Sequence, residues 1–155
     1  MQLKTNIVGL FFISVFIGCG LFESNDKGGV SDTVYVPLRG LDQVAIVDVG
    51  SGEIDFVDIN YSDIGNEPHF VVVDEINRYW FVTTIKSGYV GCYNLDTDEL
   101  IDTVLIGDSP ALMVLNEEDK KLYVSRMMPM GTMMMGAVNT IVQEIDYSIP
   151  DIMEK

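Results

Sequence analysis

The sequence predicts an all-β fold made of tandem repeats of about forty residues, each carrying four short strands. Three observations lead there. A five-residue motif recurs, strand-length apolar runs alternate with turn residues, and no stretch holds a helical period.

The recurrence is plainest in Ile64-Gly65-Asn66-Glu67-Pro68, which returns 42 residues later as Ile106-Gly107-Asp108-Ser109-Pro110. An aromatic–Val pair follows each copy, Phe81-Val82 after the first and Tyr123-Val124 after the second, and Tyr35-Val36 is an earlier instance. Twelve residues past the valine stands Asp48 in the first repeat and Asn94 in the second, closing the runs VAIVD and YVGCYN. In the first repeat the strands are Thr33–Pro37, Gln43–Val49, Glu53–Ile59 and His69–Val73, rich in Val, Ile, Phe and Tyr. Arg39-Gly40, Ser51-Gly52 and Glu75–Arg78 supply the turns between them. The second repeat gives Tyr79–Thr84, Tyr89–Leu95, Glu99–Leu105 and Ala111–Leu115. Repeat boundaries fall at about 33–78, 79–120 and 121–155, the last incomplete.

The order Tyr-Val, Val-x-Ile-Val-Asp, Ile-Gly-x-x-Pro resembles the YVTN-type β-propeller repeat of exported bacterial proteins, over roughly residues 32–148. The resemblance implies four-stranded blades and is silent about function. About two and a half blades are present, whereas propellers close with about four to eight. Such an array leaves an apolar blade face and an open β-edge. The expectation is therefore the N-terminal portion of a larger propeller or, as the second choice, a ring completed by oligomerisation.

Residues 1–18, MQLKTNIVGLFFISVFIG, put Lys4 before a short apolar run, the plan of an export signal rather than a membrane span. Phe16-Ile17-Gly18-Cys19 resembles the lipobox of bacterial lipoproteins, with Phe where Leu is usual. The resemblance implies cleavage before Cys19, acylation of its thiol and a lipid anchor in the membrane. Gly20 after the cysteine, in place of the Asp that signals inner-membrane retention, implies an outer-membrane or cell-surface address. Residues 19–31 then form the acylated cysteine and a flexible Gly-rich tether, and 32–155 the repeat region. With Cys19 so used, Cys92 reads as a small core residue instead of half a disulfide.

Asp and Glu number 24 against 9 Lys and Arg, a net charge of −15 that repels phosphate backbones and excludes nucleic acid as a partner. No D-x-[DN]-x-[DN]-G loop assigns any of these carboxylates to Ca²⁺. G-x-S-x-G, H-E-x-x-H and phosphate-cradling glycine loops are also missing, so no catalytic residue is assigned and the enzyme question leans to no.

The third repeat departs from the others. The acid expected near Gly136 arrives instead at Asp146, closing Ile141–Asp146, ten residues late. The inserted stretch holds Met127, Met128, Met130, Met133, Met134 and Met135, six of the nine methionines of the chain. Thioether sulfur is a soft ligand that selects Cu(I), and Pro129, Gly131 and Gly136 keep the stretch from forming a helix. The competing readings are an apolar plug across a blade end and a sticky contact surface for a partner. His69, the only imidazole, sits at a loop-to-strand junction, a structural position first and a candidate ligand second. Together these make the chain a cell-envelope binding scaffold for envelope proteins or a small ligand. The rival is part of a metal-dependent propeller enzyme or redox protein.

Overall fold

The computed structural model describes residues 33–107, 109–127, 142–149 and 152–155; Cys19, the tether and Met128 to Met135 lie outside them. Ten strands run in order: β1 (Thr33–Leu38), β2 (Gln43–Asp48), β3 (Ile54–Asp58), β4 (Pro68–Asp74), β5 (Tyr79–Thr84), β6 (Tyr89–Asn94), β7 (Leu100–Leu105), β8 (Pro110–Asn116), β9 (Lys121–Arg126) and β10 (Val142–Asp146). Each strand predicted from the sequence is present, its ends displaced by one residue at most.

All pairing is antiparallel, in three sheets ordered β1-β2-β3, β4-β5-β6-β7 and β8-β9-β10. The sheets are one strand out of phase with the sequence repeat. β4, the last strand of the first repeat, opens the middle sheet, because the tight turn Glu75–Arg78 folds it directly onto β5. The nine residues Ile59–Glu67 separate it from β3.

The recurring acid positions close turns. Thr33 pairs with Asp48, Tyr79 with Asn94 and Lys121 with Asp146, so the late acid of the third repeat holds its place in the ladder. Asp48 Oδ1 accepts the Ser51 N–H at 2.6 Å, Asn94 Oδ1 accepts from Asp96 and Thr97, and Asp146 Oδ1 accepts from Ser148 at 2.8 Å. These Asx turns let a short side chain replace a backbone partner. The Ser51 donors hold the Asp48 carboxyl below its ordinary range, and those of Ser148 do the same for Asp146. The backbone N–H groups of Asp48, Asn94 and Asp146 then donate to glutamate carbonyls, those of Glu53, Glu99 and Glu154.

The middle sheet is buried on both faces, which is why β5 reads YWFVTT without alternation. Trp80 and Val82 join Val44, Ile59 and Tyr93 in a core against the first sheet. Phe81 joins Val90, Cys92, Met113, Leu122, Val124, Ile145 and Tyr147 in a core against the third. Cys92 is buried there, as its apolar strand implies.

The two copies of Ile-Gly-x-x-Pro agree only in their second half. Gly65 and Gly107 both take positive φ, 90° and 73°, as do Glu67 and Ser109 just before the prolines that open β4 and β8. The isoleucines differ. Ile106 is buried and donates its N–H to the Gly88 carbonyl; its counterpart is Ile59, buried and bonded to the Asp42 carbonyl. Ile64 is 66% exposed. The first connection therefore carries five extra residues, Asn60-Tyr61-Ser62-Asp63-Ile64.

Candidate binding face

The strand connections gather at two ends. One end holds only tight turns, closed by Asp48, Asp74, Asn94 and Asn116 through their own side chains. The other end holds the turns at 39–42 and 85–88, the connections at 59–67 and 106–109, and the start of the methionine-rich segment after β9.

Hydrogen bonds knit this second end into one surface. Asp42, at φ 52°, presents Oδ1 to the backbone N–H groups of Asn66 (3.0 Å) and Glu67 (2.7 Å). Asn66 is buried, giving its Nδ2–H to the Ile59 carbonyl at 2.7 Å and taking the Tyr61 N–H on Oδ1 at 3.1 Å. Ile85 and Lys86 N–H reach the carbonyls of Glu67 and Asn66, and Met127 N–H reaches that of Ser109 at 3.0 Å. Each connection thus leans on the next.

The five extra residues shape the surface further. Tyr61 turns inward, donates its hydroxyl to Tyr93 Oη at 2.6 Å and lies over Gly91, where an added Cβ would come within 1.8 Å of the Tyr61 oxygen. Desolvation raises the Tyr61 phenol far above its ordinary value and pushes Tyr93 up to about 12. Outside Tyr61 an open polar depression of ≈ 600 Å³ is lined by Asp42, Asn60, Ser62, Asp63, Gly65 and Asn66. Beside it Arg39 forks onto Glu67 Oε2 through Nε at 2.8 Å and Nη2 at 2.5 Å, and Lys86 Nζ hangs over Gly65. Three apolar side chains are exposed at this end, Leu41, Ile64 and Met127, at 67%, 66% and 57%.

The sequence-predicted residues divide here. Met127 is where the structure places it on this face, unburied; Met128, Met130, Met133, Met134 and Met135 fall outside the described residues. His69 lies at the same end, half-buried, in the β-bulge that starts β4. Its equivalent Ala111 occupies the matching bulge of β8. Among the described residues no three His, Cys, Asp or Glu side chains gather around a common point. Sequence reasoning missed Asp42, Tyr61 and Asn66. Their signal was the unequal spacing of the repeats, 46 residues from Tyr35 to Phe81 but 42 from Phe81 to Tyr123.

No protein-family model and no curated protein sequence matches the chain. Solved structures do. A Bacteroides caccae protein of unknown function aligns with a TM-score of 0.58 at 16% identity, over 74% of this chain and 42% of that one. The β-propeller domain of Cps50 (Swd1) from Myceliophteria thermophila aligns at 0.50 and 17% identity, over 61% and 32%. A chain of the mitotic checkpoint complex aligns at 0.51 and 15%, over 61% and 27%. The fold is thus of the β-propeller type, and the chain spans less than half the length of each of these structures.

Proposed function

We propose that the chain is a binding scaffold, held at the bacterial cell envelope by acylated Cys19, that engages a protein partner through the loop face. One observation carries the reading: both departures from the plain blade repeat, the extra residues at 60–64 and the insertion after Met127, emerge at the same end. Insertions that collect on one face of a repeat protein mark its binding side. Exposed apolar side chains and a polar depression at one end suit such contacts. The likeness to a chain of the mitotic checkpoint complex, a protein assembly, supports a protein partner.

A photo-crosslinking residue placed at Leu41 or Ile64 is expected to capture one defined partner in cells, and the same residue at Ile76 in the β4–β5 turn none. Equal yields from both ends would refute the assignment of the face. Loss of fatty-acid labelling in Cys19→Ser, with labelling in the wild type, tests the anchor.

A second reading concerns the insertion itself. Met127 enters it with its side chain exposed, leaving the sulfur available, and a thioether needs no deprotonation to coordinate. Cu(I) is the soft ion this set would take, through Met127, Met130 and Met133. Replacing those three by Leu keeps apolar volume and removes sulfur, so Cu(I) affinity is lost while the melting temperature holds. Equal affinity before and after would leave the segment a contact surface alone. The rival reading, part of a metal-dependent propeller enzyme or redox protein, would be favoured by further blades that carry clustered His, Asp or Glu at their loop ends, and featureless blades would favour the scaffold.

A further inference from the structure

The same notch occurs twice between neighbouring sheets, at the tight-turn end, and one of the two is filled. The backbone fixes the correspondence. Leu95 donates its N–H to the Arg78 carbonyl and Tyr147 donates to that of Lys120, both at 3.0 Å, while Asn94 and Asp146 donate to Glu99 and Glu154. Leu95 therefore stands where Tyr147 stands in the third sheet, and Asp98, just before Glu99, where Met153 stands. Between the middle and third sheets Tyr147 and Met153 are both buried, and Tyr147 is anchored on Asp74. Only ≈ 10 Å³ stays open there, beside Cys92 and Ile101. Between the first and middle sheets, the smaller Leu95 and the shorter turn behind it leave ≈ 200 Å³. That is room for about seven waters at roughly 30 Å³ each.

The open notch offers mainly hydrogen-bond acceptors beside an apolar lining of Ile46, Val73 and Leu95. Tyr35 brings a half-buried hydroxyl that has no hydrogen-bond partner among the described residues. Asp98 accepts the Trp80 Nε1–H on Oδ1 at 2.9 Å, and its second oxygen takes no hydrogen bond from a described residue. Glu75 adds an exposed carboxylate to the lining. The one cation there, Arg78, is turned onto Asp96. Burial, against the Trp80 bond and with Asp55 nearby, holds the Asp98 carboxyl above its ordinary range. Asp98 also takes φ 57° where its counterpart in the first sheet is Gly52 at φ 76°. A left-handed position that glycine fills most easily carries a carboxylate here instead.

An acceptor-rich notch with an apolar lining, in a chain of net charge −15, suits a cation that only donates and has a hydrocarbon body. We propose that the notch between the first and middle sheets binds a small organic ammonium, which donates to the second Asp98 oxygen and to Tyr35 Oη and lays its hydrocarbon against Ile46, Val73 and Leu95. The site lies at the end opposite the loop face and is independent of the partner proposed there.

The probe is phenethylammonium, titrated at neutral pH into the full chain. Trp80 emission reads the binding, because the indole N–H sits on the same carboxylate. Saturable binding with a Kd on the order of millimolar is expected. 2-Phenylethanol and 3-phenylpropanoate, which match the shape without the positive charge, bind at least ~10-fold more weakly. Asp98→Asn keeps an acceptor for Trp80 and tolerates the positive φ but loses the charge. It raises Kd roughly 10-fold or more while the melting temperature holds. Leu95→Phe fills the notch as Tyr147 fills its counterpart, and abolishes binding. Tyr35→Phe, which removes one acceptor and raises Kd roughly 3-fold, serves if that variant fails to fold. Glu118→Gln, an exposed carboxylate of the β8–β9 turn, leaves Kd unchanged. Nα-acetyl-lysine methylamide carries the same group on a peptide stem and is expected to bind more weakly than phenethylammonium. Tighter binding would assign the notch to a lysine of a partner protein and overturn the free amine. Equal affinity for amine and alcohol, an Asp98→Asn chain that binds like wild type, an equal response to Glu118→Gln, or no saturable change at all also overturns the proposal.

Discussion

The two faces of the middle sheet are packed by different chemistry on one strand plan. Toward the first sheet the core is aromatic: Trp80 stacks on Tyr93 with centroids 4.0 Å apart and planes at 9°, flanked by Tyr35, and Tyr61 closes the upper end. Toward the third sheet Phe81, Tyr79 and Tyr147 form a looser ring cluster, with centroids 4.9 to 6.2 Å apart, set in an aliphatic and sulfur-bearing surround of Cys92, Met113, Leu122 and Ile145. Each side carries one tyrosine hydroxyl that locks sheet to sheet. Tyr61 bonds a second tyrosine, while Tyr147 donates to the buried carboxylate of Asp74 at 2.7 Å. Desolvation and the Asp74 bond raise the Tyr147 phenol well above its ordinary value. The difference teaches that the repeat sets strands and register, while residues outside the strands, Tyr61 in an insertion and Tyr147 beyond β10, choose how blades are joined.

The largest effect expected separates the two isoleucines of the repeated motif. Ile106→Ala removes a buried side chain from the aliphatic core and costs about 2–5 kcal/mol, whereas exposed Ile64→Ala stays within about 0.5 kcal/mol. Urea unfolding of both variants measures the gap, and equal costs would mean that the motif is one structural unit after all. Next comes Gly91→Ala, which drives a methyl into the Tyr61 hydroxyl. Its cost is roughly 1–3 kcal/mol, and adding Tyr61→Phe recovers part of it, since the clashing oxygen is gone. An undiminished penalty in the double variant would show that Tyr61 does not fill that gap. The smallest effect is alkaline. Tyr35 and Tyr93, both pushed from 10.0 up to about 12 chiefly by burial, bind their protons more tightly folded than unfolded. Stability from them is complete below pH 10 and is lost as pH rises through about 12. Trp80 is the one tryptophan and lies in that same core, so its emission maximum should shift red across this window. A maximum that stays fixed to pH 12 would mean that the aromatic core does not open there.

The strands were legible because turn residues bracket each apolar run and the period repeats. The phase of the sheets was not, since a tandem repeat has no intrinsic first strand. Only the contrast between the Glu75–Arg78 turn and the nine-residue connection before β4 decides it. The ten-residue delay of Asp146 correctly marked an insertion, because the acid must still meet Lys121 across the ladder. Of the described residues at the proposed binding face, the sequence singled out Met127 and His69 alone. Asp42 and Asn66 looked like variable loop letters, yet Asp42 holds a backbone N–H 24 residues further on, and Asn66 ties Ile59 and Tyr61 together within its own connection. Periodicity does not record contacts of that kind. Ile64 misled for the opposite reason: its match to Ile106 is one of letters, and the buried counterpart stands five residues earlier at Ile59.

Within each of the three sheets the strands pair in chain order, with no crossover among the described strands. Meanders of this sort pay little loop-closure entropy, since most of their hairpins close over a handful of residues. Each sheet can therefore assemble locally, and the contacts distant in sequence, such as Asp74 with Tyr147, come from docking one finished sheet on another. Folding such a molecule is a matter of stacking, one plate after the next, and among the described sheets the middle plate is packed on both sides.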